Sequence, residues 1–104
     1  MSLKKILFIL IFIISFQNPV FADKKMELGL DVYNNKAMCG TCHALQTAGS
    51  SGDIGPNLDK LKPQIEQIIY AVTNGIGVMP PWGDILTPEE IEAVAYYVFT
   101  NTKK

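Results

Sequence analysis

Cys39-Gly40-Thr41-Cys42-His43 decides how this sequence is read, because it holds both cysteines and the single histidine of a 104-residue chain. On a helical turn, residues three and four apart share a face, so two thiols and a neighbouring imidazole can serve one flat group lying against that turn. The spacing predicts covalent attachment of one haem, with the thiols of Cys39 and Cys42 adding to its two vinyl groups and His43 meeting the iron from the same side. Two other readings are weaker. A thiol–disulfide redox centre expects strands around the pair, and no strand-like segment flanks it. A closed zinc site needs four ligands, and the chain has no further cysteine or histidine.

Upstream of the motif, the chain opens with Lys4 and Lys5, an apolar run from Ile6 to Phe16 interrupted only by Ser15, and the breaker Gln17-Asn18-Pro19. Val20-Phe21-Ala22 then offers small residues where a signal peptidase reads, so residues 1–22 are expected to be a cleaved export signal and residues 23–104 a single small domain. The alternative is an uncleaved anchor, but a spanning helix needs roughly 20 apolar residues and the Asn-Pro pair falls inside that length. An exported domain of this kind is expected in the periplasm.

Charge argues against nucleic acid. Nine basic and ten acidic residues give a formal net charge of −1, which becomes −3 once Lys4 and Lys5 are removed, and there is no arginine. A phosphate-binding face would carry a basic patch.

An iron held by one histidine has a sixth position, for which methionine is a neutral, soft candidate that favours the reduced state. Three remain after the leader: Met26, Met38 and Met79. Met38 is tied to the histidine side by its place next to Cys39, and Met26 suits core packing in a helix. Met79 lies 36 residues past His43 in Gly75-Ile76-Gly77-Val78-Met79-Pro80-Pro81-Trp82. There the glycines let the backbone approach a flat ligand and the prolines hold the preceding residue extended. A methionine that merely fills a gap, or an iron with a labile sixth position, stays open on the residues alone.

Three helices account for most of the remainder. The first is expected from about Lys24 to Cys42, with Met26, Leu30, Tyr33 and Ala37 along one face. A second starts near Pro63, places Ile65, Ile68, Ile69 and Val72 on one stripe, and closes at Asn74-Gly75. The third has Thr87 as N-cap, Pro88 in its first turn, Glu90 completing a capping box, and the stripe Ile91, Val94, Ala95 and Val98. Glu89, Glu90 and Glu92 suit helix-start electrostatics and a solvated face. Between the first two helices, Ala44 to Leu61 is a loop whose most flexible part is Gly49-Ser50-Ser51-Gly52, and no strand pattern of useful length appears.

On these features the segment from residue 23 onwards resembles the small monohaem class I cytochromes c. The resemblance rests on CGTCH at 39–43, Gly55-Pro56-Asn57-Leu58, Met79 in its Gly/Pro loop and an aromatic C-terminal helix. It implies an all-α fold of three main helices and loops around one covalently attached haem c, with His43 and Met79 as axial ligands of the iron. It further implies that the Pro56 carbonyl accepts a hydrogen bond from the far nitrogen of His43, and that Gly29 and Tyr33 cross the last helix near Tyr96 or Tyr97. Leu58, Ile69 and Val78 are candidate walls of the haem pocket, and Trp82 either donates to a haem propionate or simply packs.

The activity implied is one-electron transfer, not enzymatic turnover, between redox partner proteins. A dehydrogenase or membrane complex would be the donor and an oxidase or reductase the acceptor, as in a respiratory chain, with only transient membrane contact unless the leader stays attached. Two alternatives are the haem subunit of a periplasmic dehydrogenase complex and a ligand sensor or peroxidase in which Met79 leaves the iron.

Overall fold

The computed structural model describes residues 19–103, so most of the expected export signal, residues 1–18, lies outside the described residues. Helix α1 spans Pro19–Asp31 and passes directly into a π-helical turn, Val32–Lys36, closed by the Ala37 N–H on the Val32 carbonyl at 2.8 Å. The expected run of one helix to Cys42 is therefore wrong. The wide turn inserts an extra residue, Met38 takes a left-handed conformation (φ 50°), and the ladder stops. Cys39–Thr41 then forms its own 3₁₀ turn, with the Cys42 and His43 N–H groups both on the Cys39 carbonyl at 3.1 and 3.0 Å.

The loop after the motif is more ordered than its composition suggests. Ala44–Leu45 (β1) and Ser50–Ser51 (β2) pair antiparallel in the register Ala44↔Ser51 and Leu45↔Ser50, around a 3₁₀ turn at Gln46–Ala48. Two rungs are too short to show as alternation in the sequence. Helix α2, Leu58–Leu61, is a single turn capped by the Asn57 side chain, which accepts from Lys60 N at 3.3 Å. It was not foreseen.

Helix α3 runs from Ile65–Asn74 and begins two residues later than expected. Its N-cap is Gln64, whose N–H donates to the Gln67 side chain at 3.1 Å in a capping box, so Pro63 is not the first helical residue but sits buried just outside. Helix α4, Pro88–Thr102, starts on the expected box: Glu90 N donates to Thr87 Oγ1 at 3.1 Å and Thr87 N to Glu90 Oε1 at 2.9 Å. Its stripe Ile91, Val94, Ala95 and Val98 is buried. Glu89 and Glu92 face solvent, but Glu90 does not: it is buried at the helix start and pairs with Lys36 of the π turn.

Helices α1 and α4 cross at Gly29. A Cβ there would lie 2.3 Å from the Ala93 carbonyl oxygen and 2.6 Å from Tyr97 Cβ, so only glycine lets the two backbones meet. One turn on, the Tyr33 and Tyr97 rings pack at 6.1 Å between centroids, tilted by 48°. Of the two tyrosines expected near this crossing, Tyr97 takes the core position, while Tyr96 is half-buried under the Lys25 ammonium. The fold is thus all-α in its main elements, with α2, α3, α4, the π turn and the loops walling one space while α1 packs on α4 behind it. No helix among the described residues is long and apolar enough to cross a membrane.

Candidate haem site

That space is a cavity of about 590 Å³, lined almost wholly by apolar groups. Cys39, Cys42 and His43 border it on one side. Pro56, beside His43, and Leu58, Met79 and Trp82 complete the expected set of lining residues.

On the cysteine side, the chain from Gly52 to Pro56 lies flush against the motif. A Cβ on Gly52 would come within 2.6 Å of the Cys42 carbonyl carbon, and one on Gly55 within 2.6 Å of His43 Cε1. The Gly55 N–H donates to the Cys42 carbonyl at 2.7 Å, and the next carbonyl, that of Pro56, lies 2.7 Å from His43 Nδ1. Pro56 can only accept, so Nδ1 carries the proton and Nε2 keeps its lone pair. Neither cysteine is in a disulfide, and burial pushes the Cys39 thiol up to about 11, so it packs as a neutral group. Tyr33, fully buried beside it, is raised to about 12 by the same desolvation.

Across the cavity, Met79 closes a two-residue hairpin. Ile76 N donates to Met79 O at 3.2 Å and Met79 N to Ile76 O at 2.9 Å, with Gly77 (φ 57°) at the first central position that such a turn reserves for glycine. Gly75 (φ 73°) serves a close approach as well, since a Cβ there would stand 2.5 Å from the Met79 carbonyl oxygen. The glycines of this loop thus shape the hairpin that carries Met79, a different use from the approach to a ligand expected of them. Trp82 N and Gly83 N donate to the Val72 and Thr73 carbonyls at 2.8 and 3.1 Å, hanging the loop from the last turn of α3.

Two expected pocket walls need correction. Ile68, not Ile69, lines the cavity, because α3 turns Gln67, Ile68, Ala71 and Val72 toward it, and Ile69, one residue further round the helix, packs against the core instead. Val78 lines it only at the rim and is 88% exposed. Trp82 is half-buried against the core. Pro63 and Tyr33 also line the cavity and were not named as walls. The stripe on α3 could have pointed to Ile68, but nothing local marks Pro63.

The residues present suit a covalently held, iron-bearing porphyrin. Two unpaired thiols, an imidazole with its outer nitrogen already engaged, and a thioether all face one apolar space, and the close-packed glycines leave the imidazole no freedom to turn.

The class this defines is a small c-type cytochrome, and comparison with known proteins agrees. The family model described as cytochrome c oxidase, cbb3-type, subunit III matches residues 24–98, and the chain belongs to this family of c-type cytochromes. It is 40% identical over 84 residues to the chloroplastic cytochrome c6 of Chlamydomonas reinhardtii, covering 71% of this chain and 53% of that protein, so it spans only about half of that relative. It is 37% identical to cytochrome c6 of Bryopsis maxima over 73% of this chain and 91% of the other. The crystal structure of the c-type cytochrome SorU from Sinorhizobium meliloti superposes with a TM-score of 0.74 at 49% identity, covering 79% of this chain and 95% of that one. The fold is accordingly that of a small monohaem cytochrome c, whose cofactor is a covalently bound haem c with iron and whose work is electron transfer.

Proposed function

We propose that this chain is an exported, diffusible electron carrier of the periplasm, with haem c joined to Cys39 and Cys42 and its iron held between His43 and Met79. When bound, the haem supplies a one-electron iron couple. The chain's own residues set its surroundings. His43 presents the Nε2 lone pair while Pro56 fixes the ring through Nδ1. Met79 offers a neutral thioether from a hairpin braced on α3, which stabilises the reduced state. Leu58 and Ile68 exclude water from the cavity, and Trp82 closes its wall.

The observation that carries this reading is that His43 and Met79, 36 residues apart in sequence, border the same apolar cavity, each braced by main-chain hydrogen bonds. With both positions filled from within the chain, no site is left for a substrate, so the protein is a carrier and not an enzyme. The brace on Met79 also weighs against a ligand sensor or peroxidase. Electron exchange with a donor dehydrogenase or membrane complex and an acceptor oxidase or reductase would occur at the apolar rim formed by Met38, Ile54, Ile76 and Val78, the last 88% exposed. Weak steering is expected from the small net charge of residues 23–104, −3 once Lys4 and Lys5 are removed.

Met79→Ala in the holoprotein tests the assignment. It should abolish the thioether-to-iron charge-transfer band, lower the reduction potential and open the reduced protein to carbon monoxide. An unchanged low-spin spectrum and potential would remove Met79 from this role. Mass measurement of the exported protein should give an N-terminus at Asp23. A second reading, a haem subunit docked permanently in a larger complex, draws on the family model's description and on the exposed apolar rim. A stoichiometric partner surviving purification in high salt would favour it.

A further inference from the structure

Besides Nε2, His43 has three polar groups, and two are accounted for: its backbone N–H donates to the Cys39 carbonyl at 3.0 Å and Nδ1 bonds Pro56 O at 2.7 Å. The third is its carbonyl. It lies at the junction between the 3₁₀ turn and β1, where no helix ladder continues to satisfy it. Ser50 Oγ donates to it at 3.0 Å, and the Tyr33 hydroxyl, 3.4 Å from the same carbonyl, lies 2.9 Å from Ser50 Oγ. A serine hydroxyl has one proton. Once that proton is given to His43 O, the 2.9 Å contact is made by the Tyr33 O–H donating to Ser50. The chain therefore has a direction, from Tyr33 through Ser50 to His43, in which each bond polarises the next.

We propose that Ser50 and Tyr33 are positioning residues for His43: the Ser50 hydroxyl, held in turn by that of Tyr33, clamps its peptide and so sets the bond its ring makes to Pro56. This rests on the reading of His43 as an iron ligand. Both hydroxyls are placed by structure unrelated to the motif. Tyr33 is fully buried and fixed by its packing on Tyr97 beside the Gly29 crossing. Ser50 is set by its rung opposite Leu45, and the motif makes room for it, since a Cβ on Gly40 would stand 2.6 Å from Ser50 Cβ. The same loop is held a second time by Thr47 Oγ1 and the Tyr97 hydroxyl, 3.2 Å apart. Phenylalanine and alanine would fill nearly the same volume at 33 and 50, so the two oxygens, each needing a partner once buried, are explained by the bonds they make. A histidine whose far nitrogen bonds firmly to a carbonyl is a more basic ligand and stabilises the oxidised metal. Releasing the clamp should weaken that bond and favour the reduced state.

The test uses holoprotein with Ser50→Ala, Tyr33→Phe and Ser50→Thr, reading the reduction potential, the His43 ring resonances in ferric proton NMR, and thermal melting. Ser50→Ala should raise the equilibrium constant for reduction against a reference couple by about threefold, ~28 mV at 59 mV per tenfold for one electron. Tyr33→Phe should shift it the same way by less, Ser50→Thr should return it to wild type, and the His43 resonances should move with it. A fall in melting temperature with potential and resonances unmoved would overturn the proposal, as would a shift to lower potential. Should Ser50→Ala fail to accumulate, Tyr33→Phe decides by the same readouts, since it deletes one oxygen and keeps the ring against Tyr97. Wild-type protein matured with both thiols still free would sink the functional reading and this proposal together. An unmoved potential in thioether-bound protein sinks the positioning alone.

Discussion

Substituting Gly29 by alanine should damage the fold more than its size suggests. The new methyl would sit 2.3 Å from the Ala93 carbonyl oxygen, where ordinary contact begins at 3.4 Å, so α1 must retreat from α4 by about 1 Å. No flexible side chain can give way, because the nearest atoms are Ala93 backbone and Tyr97 Cβ. Retreat also draws Tyr33 away from Tyr97 and loosens Val32 and Val94, both nearly inaccessible to solvent. Overpacking of this kind costs ~3 kcal/mol at its upper end, and alanine returns ~1 kcal/mol by its better helix propensity. The net loss is ~2 kcal/mol, and for a domain of this size each kilocalorie moves the melting temperature by about 4–8 °C. Melting of the holoprotein followed by far-ultraviolet circular dichroism should therefore fall by about 8–16 °C. A melting temperature equal to or above wild type would refute the close crossing.

Gly55→Ala drives a methyl to within 2.6 Å of His43 Cε1, so it should push the ring off the Pro56 carbonyl, raise the reduction potential and cost ~1–3 kcal/mol in a thermal melt; unchanged potential would show the ring is not held there. At acid pH, the Lys36 hydrogen bond, then Thr87, holds the Glu90 carboxyl below its usual 4.5, so that contribution is present above 4.5 and is lost as pH falls through the folded value. Melting of Lys36→Met across pH 3 to 7 should show a shallower acid decline than wild type, and equal slopes would contradict the pairing. At alkaline pH, burial keeps Tyr33 protonated to about 12 in the fold against 10.0 when unfolded, so stability should fall as pH rises from 10 to 12. Tyr33→Phe should flatten that decline while leaving the part due to Lys36, which Glu90 raises above 10.5; a decline of equal slope in both would count against it.

What could be foreseen from the sequence follows the range of each interaction. The Thr87–Glu90 box and the Asn74-Gly75 stop are local chemistry within a few residues, and both stand where the sequence places them. The Gly29 crossing followed from family resemblance, and the structure chooses Tyr97 over Tyr96 because only the former faces α1's glycine. The end of α1 was not visible, since a spacing of four, three and four through Ala37 suits an α-helix as well as one that widens into a π turn. Ser50 was hidden for another reason. A Gly-Ser-Ser-Gly run reads as flexible by composition, whereas this serine is fixed by partners at positions 33 and 43, and no local pattern encodes them. The pairing of Glu90 with Lys36 spans 54 residues and is equally silent in the chain.

The suspension of the Met79 loop has a dynamic consequence. Its two ends are tied not to each other but to the carbonyls of Ala71, Val72 and Thr73, through Gly75, Trp82 and Gly83. Those acceptors are the groups a helix terminus normally leaves to solvent. Fraying of α3 and opening of the Met79 loop are consequently one event, a single unit whose amide protons should exchange together and more slowly than those of an ordinary surface loop, and on the proposed ligation the same event would release the thioether.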